Sequence, residues 1–431
     1  MEENVAQAAT FKRSKLMNGV VRPHQKNSGA APPTWLQNAA IFGCCTNFFS
    51  TALANLGFVS FLLLFAWVGL THRRRVLNFS HFPTAVAIAM LLYIGWQIIG
   101  LTYSDAQTSY ALKNVFSERK ILYVLPLTMV FYEDAPKQRF LFWFLLTASV
   151  GLVVSFALRS HWVDAALRFD PASVFRSPPT QGMLFAVSAF LSAWMAGKKT
   201  NTWRSFGLYA LALAFTVNIV FITSGRSGYI VFLVLLVWCF WLRFGFKGLF
   251  GGVVVAVVLS GTAFVGSDSV HSKVMMAVNE AQTYSTAPAE TSIGRRMVML
   301  ETTLGMVRDH PLIGIGTGAY KKHFSEIAEK KYTGWRAEPF DDPHNQYLFV
   351  WTENGLIGLA TFLYMLFILF RQCVAGGVYG TLAAGCLLAW AATSFFSGHF
   401  RTFPEGHLIA FIVGILMVNR NSADKSLHAT I

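Results

Sequence analysis

The chain has 431 residues, 54% of them hydrophobic and only 13% charged, with a formal net charge of +14. Soluble globular proteins carry roughly 25% charged residues, so this composition excludes an ordinary soluble enzyme and indicates a polytopic membrane protein. A basic excess would suggest nucleic acid in a soluble chain; here the charges have to be sorted by side of the membrane first.

Residues 1–34 are polar and basic, with Lys12, Arg13, Lys15, Arg22 and Lys26. They lack the basic-then-apolar pattern of a cleavable leader and read as a disordered cytoplasmic tail. Nine apolar segments follow between 35 and 266, near 35–51, 54–71, 83–103, 121–133, 138–158, 180–196, 205–223, 227–243 and 248–266. Several are shorter than the roughly 20 residues a helix needs to cross a bilayer core. The weakest, 121–133, contains Pro126, which would kink it. The polar stretch 104–120 has the pattern of a helix lying on the membrane surface, with Lys113, Arg119 and Lys120 toward lipid phosphates.

Residues 267–347 are too long for a simple connection. They predict a helical subdomain: an amphipathic helix from Ser292 to just before Pro311, with Met297, Leu300, Leu304 and Val307 at helical spacing, then the turn GIGTG (314–318), then a second helix from Ala319. Three more apolar segments, near 348–371, 376–396 and 406–420, complete a membrane region spanning 348–420, and residues 421–431 form a tail. The expected architecture is an all-α polytopic membrane protein of about twelve transmembrane helices with one external helical subdomain.

Lys and Arg decide the orientation. The basic groups in 71–75, 136–139, 197–204 and 243–247, Arg371 and both tails fall on one side, which is then the cytoplasmic side; the long 267–347 segment lies on the other. The five cysteines, Cys44, Cys45, Cys239, Cys373 and Cys386, sit in apolar or membrane-edge stretches without metal-ligand spacing, and read as packing residues rather than a disulfide framework.

The chemistry-bearing residues gather on the external face. Arg226 lies in TSGRSG, a short turn between two apolar segments; a guanidinium there calls for an anionic partner, and snorkelling to lipid phosphates is the competing reading. Its flanking Ser-Gly pairs suggest a tight turn that lets a ligand approach the backbone. Arg295 and Arg296 open the amphipathic helix, where the helix dipole disfavours cations. A pyrophosphate at that end would explain them; a solvated basic face is the alternative. His344, at the mouth of the segment DDPHNQYLFVWTENGLIGL, is a candidate general base, with Asp341 and Asp342 near enough in sequence to orient it. Capping the following helix is its simpler role. A third possibility is a divalent-metal site from Glu338, Asp341, Asp342 and His344. Glu353 is either an intramembrane functional group or a helix-shaping residue, and His399 and Arg401 could complete a ligand site or pack at the membrane edge.

The motifs His310 to Gly316 (HPLIGIG), His344 to Leu348 (HNQYL) and Glu353 to Leu359 (ENGLIGL), preceded by Arg295 in SIGRRMVML and Arg226 in a short outside turn, resemble the signature of the O-antigen ligase and polymerase superfamily. Met299 stands where that pattern often has an aromatic. The resemblance implies a glycosyltransferase-C-like membrane fold in the bacterial inner membrane, both termini cytoplasmic, with the active site and subdomain in the periplasm. It implies a metal-independent, inverting glycosyltransferase without a cofactor. The donor is a polysaccharide on undecaprenyl pyrophosphate; the acceptor is lipid A-core for a ligase, a second lipid-linked chain for a polymerase, and a protein hydroxyl for a protein O-oligosaccharyltransferase. The ligase branch is favoured because the external insertion is single and modest. In this reading His344 is the general base, Arg226, Arg295 and Arg296 hold the pyrophosphate, and Asp342, Asn345 and Glu353 support them. A lipid-linked sugar transporter is the non-enzyme alternative, although its charged residues should lie near the membrane midplane.

Overall fold

The computed structural model describes residues 31–71, 82–160, 173–197, 201–223, 225–266 and 268–418. The basic N-terminal stretch 1–30 and the C-terminal tail 421–431 lie outside the described residues. Helices run in chain order as α1 (Thr34–Thr46), α2 (Thr51–Thr71), α3 (Thr84–Gly100), α4 (Thr108–Glu118), α5 (Val124–Val130), α6 (Asp134–Arg159), α7 (Pro178–Ala196), α8 (Thr202–Phe221), α9 (Arg226–Gly266), α10 (Asp268–Thr283), α11 (Ser292–Asp309), α12 (Tyr320–Lys331), α13 (Gln346–Ala375), α14 (Gly377–Thr393) and α15 (Phe403–Leu416). Among the described residues no strand forms.

Among the described residues five helices are long and apolar enough to cross a membrane: α2, α6, α8, α9 and α13. The helices α3, α14 and α15 are apolar but shorter. The 13-residue α1 rises only about 20 Å at about 1.5 Å per residue. The segment expected at 121–133 is shorter still: a 3₁₀ turn (Arg119–Tyr123) leads into the seven-residue α5. Every apolar segment found in the sequence is thus helical, while a count of twelve full spans goes beyond these lengths. Helix α9 breaks at Gly245, where φ is 61° and ψ −141°, and its two halves fold back on each other, with Gly252 beside Val237 and Phe240.

One extended core joins α1–α3, α5–α9 and α13–α15 through Phe58, Phe144, Phe185, Trp390 and Phe411. A second, smaller core packs α11 and α12 against the start of α13 and contains Val298, Met299, Met306, Tyr320, Phe324, Phe340 and Phe349. The face that α11 buries differs from the expected stripe. Val298, Met299, Thr302, Thr303, Met306 and Val307 are buried, whereas Leu300 and Leu304 are exposed. Thr303 is tolerated there because it bonds to the Met299 carbonyl and lies 2.8 Å from the Tyr320 hydroxyl.

The turn Gly314–Gly318 and the middle of α13 explain each other. Helix α13 breaks at Gly355, with φ 67° and ψ −172°, a region open in practice to glycine alone. A Cβ there would lie 2.1 Å from the Leu312 carbonyl oxygen. The break leaves carbonyls and amides unpaired within the helix, and the turn pairs them: Ile315 N–H donates to Thr352 O (2.9 Å), Gly316 N–H to Glu353 O (2.9 Å), and Leu356 N–H to Pro311 O (2.9 Å). The Trp96 indole takes the Asn354 carbonyl at 2.8 Å. Irregular backbone at membrane depth survives when protein groups satisfy it in this way. Gly314, Gly316 and Gly318 all have positive φ and pass within contact of Glu353, Ser104 and Ala111. These glycines serve close packing.

Candidate functional site

Helix α11 and the segment before α13 meet at a cavity of about 300 Å³ lined by Glu290, Thr291, Ser292, Arg295, Arg296 and His344. Two of the three predicted arginines and the predicted base therefore share one cavity. The side chain of Arg226 lies outside the described residues. Its backbone opens α9, where Gly225 and Gly228 press against Pro178 and Gly182 of α7. Those glycines serve helix packing rather than leaving the backbone open to a ligand, as the sequence had suggested.

His344 is held in an unusual conformation. Its φ is 50°, the one positive value among the described non-glycine residues. Such a state is uncommon for a residue with a Cβ and persists where the surroundings enforce it. Asp342 supplies the constraint: its Oδ1 accepts the His344 N–H at 2.7 Å and stands 3.4 Å from the imidazole Nδ1. Asn345 then caps α13, its Oδ1 accepting the Leu348 N–H at 3.0 Å, as asparagine does at helix starts. The turn thus ends with a half-exposed imidazole facing the arginines.

The environment of those arginines corrects the expectation that free N–H groups at the start of α11 await an anion. Thr291 accepts the Gly294 N–H at 3.0 Å, and Glu280 accepts the Ile293 N–H at 3.0 Å. A protein carboxylate already occupies the helix end that a ligand was expected to fill. Arg295 is ion-paired with Glu290 and lies 5.4 Å from the Phe340 ring centroid. Both members of the pair are partly exposed. Exposed pairs contribute only about 0–1 kcal/mol, so the guanidinium can leave Glu290 for another anion at little cost.

The proposed acidic metal cluster is divided between other partners. Asp341 pairs with Lys321 at 2.8 Å, and Asp342 is turned to His344. Among the described residues no three His, Cys, Asp or Glu side chains are grouped to hold an ion. Glu353 is buried at the helix break, away from the cavity lining, accepting from Asn114 Nδ2 and the Tyr320 N–H, both at 3.3 Å. Its position supports the helix-shaping reading. Lys120, expected to face lipid, is instead buried and donates to the carbonyls of Arg401 and Thr402, because the α4 region tucks under the α14–α15 loop. Burial pushes the Lys120 amine down to about 8.

The α14–α15 loop also brings residues whose roles the sequence left open. Arg401 turns from the cavity: its Nη2 donates to Asn114 Oδ1 at 2.6 Å, and its guanidinium carbon sits 3.7 Å from the Phe349 ring centroid. His399 is buried. Burial pushes its imidazole down to about 4; Glu405 opposes this, while His344 and Arg296 reinforce it. Burial thus favours the neutral form of His399. Glu290 lies in no motif, and Gln346 fills a position inside HNQYL that the sequence reading did not single out.

Residues 209–363 match the family described as O-Antigen ligase. The chain is also 21% identical over 323 residues to a Haemophilus influenzae protein named "Uncharacterized protein", an alignment covering 72% of this chain and 76% of that one. The matched family region contains Arg226, α10 to α12, His344 and the Gly355 break. The resemblance seen in the motifs is therefore reproduced independently over that stretch.

Proposed function

We propose that this chain, which resembles the O-antigen ligase superfamily across residues 209–363, is an O-antigen ligase of the bacterial inner membrane. In this reading it moves a polysaccharide from undecaprenyl pyrophosphate to lipid A-core at the periplasmic face. The observation that carries the proposal is that Arg295, Arg296 and His344 line one cavity.

The lipid tail of the donor stays in the bilayer and its pyrophosphate enters the cavity. Arg295 and Arg296, with Arg226, bind the phosphate oxygens through planar N–H groups. His344 accepts the proton of the acceptor hydroxyl. The oxygen bonds to the anomeric carbon from the face opposite the phosphate, and the bond from that carbon to the pyrophosphate oxygen breaks. The configuration inverts, and the electron pair leaves on the diphosphate. The arginines stabilise that charge, the task a metal performs in other transferases. The pyrophosphate ester is itself the activated bond, so no nucleoside triphosphate is consumed.

The test offers the purified full-length protein a defined lipid-linked donor with lipid A-core, a second lipid-linked chain and a serine-containing peptide in competition, and reads the products by mass spectrometry. Polysaccharide joined to lipid A-core supports the ligase. Transfer to the second lipid-linked chain or to the peptide assigns the polymerase or protein-transferase branch. No covalent product with any acceptor contradicts the transferase reading and favours a transporter.

A further inference from the structure

We propose that Gln346 and His399 form a hydrogen-bonding subsite for the hydroxyl groups of a sugar ring presented to His344. This rests on the transferase reading and deepens it.

Both side chains are buried, Gln346 at 0% and His399 at 3% exposure, and all four of their polar side-chain atoms lack a hydrogen-bond partner among the described residues. Unpaired buried polar atoms are costly and rare in folded proteins. The neighbouring groups are already committed. The Ser394 hydroxyl bonds to the Trp390 carbonyl, the Ser394 carbonyl takes the Gln346 N–H at 2.8 Å, and Thr393 bonds within its own helix.

The two residues are brought together by the packing of the α14–α15 loop on the start of α13. A Cβ on Gly398 would lie 3.5 Å from Gln346 Oε1, and His399 is the next residue. Tyr347, next to Gln346, donates to the Ala391 carbonyl at 2.7 Å and packs on Phe395 with ring centroids 4.5 Å apart. Gln346 lies two residues after His344, and Arg296 is close enough to His399 to disfavour a charge there.

The chemistry of the pair selects the ligand class. A neutral amide supplies two donors and an acceptor, and a neutral imidazole one of each. Such a set suits hydroxyls, which donate and accept, while the diphosphate goes to the arginines of the neighbouring cavity. The ring could belong to the donor's reducing-end sugar or to the acceptor sugar. Both carry the same hydroxyl chemistry, so the experiment has to separate them.

The test measures KM for donor and acceptor separately with purified full-length wild type, Gln346→Met and His399→Phe. The subsite predicts that KM for one substrate rises about tenfold or more, with kcat changed much less, because a site built for a hydroxyl discriminates strongly when one partner is lost. A shift in the donor KM places the donor ring there, and a shift in the acceptor KM the acceptor ring. Substrates lacking single ring hydroxyls, given to wild type, test the same point if the variants fail to fold: the relevant analogue should lose a similar factor. Both KM values within about twofold of wild type in folded variants, or equal use of every deoxygenated analogue by wild type, overturns the subsite. Unshifted KM values beside an inactive His344→Ala remove the subsite alone; a fully active His344→Ala removes the transferase mechanism beneath it.

Discussion

Replacing Asp342 with alanine tests how the imidazole is held. Asp342 Oδ1 accepts the His344 N–H at 2.7 Å and keeps that residue at φ 50°. A left-handed conformation costs an L-residue about 1–2 kcal/mol, and a hydrogen bond to a charged group contributes about 1.5–3 kcal/mol. Without the carboxylate, that tether is lost and the backbone strain is opposed by packing alone. Since about 1.4 kcal/mol is a factor of ten, the population with His344 in place should fall about 10–100-fold. The expected outcome for Asp342→Ala is a fall of that size in kcat/KM for transfer by purified protein, with donor affinity within about twofold of wild type. Asp342→Asn keeps an oxygen acceptor for the same N–H and should recover to within about threefold of wild type. Wild-type transfer by Asp342→Ala refutes the reasoning. An asparagine variant as poor as alanine would show that the carboxylate acts by its charge, 3.4 Å from Nδ1, rather than by holding the backbone.

Gly355→Ala should destabilise the protein by several kcal/mol, about 1–3 from the forbidden backbone region and more from the clash with Leu312; a detergent thermal melt within a degree of wild type would contradict this. Arg226→Lys should lose transfer at least about tenfold, because lysine lacks the planar fork, and full activity would mean that a point charge suffices there. Hydrogen bonding from Lys331 holds the Glu301 carboxyl below its usual range, with further bonds from Tyr332 and Tyr284. A depressed carboxylate stabilises above its unfolded pKa of about 4.3 and loses that contribution as pH falls through the folded value. Hydrogen-exchange protection factors in 284–332, which allow for the slower intrinsic exchange in acid, should fall between pH 7 and pH 3 in wild type, and Glu301→Gln should reduce that pH dependence; an unchanged dependence in the variant would assign it to other groups.

The hydrophobic segments were readable because lipid burial leaves a compositional mark that needs no knowledge of packing. Their lengths were less so: 121–133 resolves into a 3₁₀ turn and α5, where the buried Lys120 ties the region to the α14–α15 loop. His344, Arg295 and Arg296 were identifiable because ionisable groups at a membrane mouth stand out from an apolar background. The interlock of Gly314–Gly318 with Gly355 was not, since it depends on backbone groups that every residue carries. The buried face of α11 was misplaced because Thr302 and Thr303 are polar by type, yet Thr303 is satisfied inside by Met299 and Tyr320. Glu280 and Glu290 were overlooked for a related reason: their contacts with the start of α11 arise from folding α10 and its following loop back onto that helix.

The central claim is that the imidazole does chemistry while the guanidinium groups beside it hold the donor. It is tested most directly by single-turnover transfer from a defined undecaprenyl-pyrophosphate donor to lipid A-core, with donor binding measured on the same purified samples of wild type, His344→Ala and an Arg295→Ala, Arg296→Ala double variant. The account predicts that His344→Ala binds donor normally and transfers about 10²–10⁴-fold more slowly, while the double arginine variant fails at binding. Wild-type transfer by His344→Ala, or undiminished donor binding by the arginine variant, would contradict it.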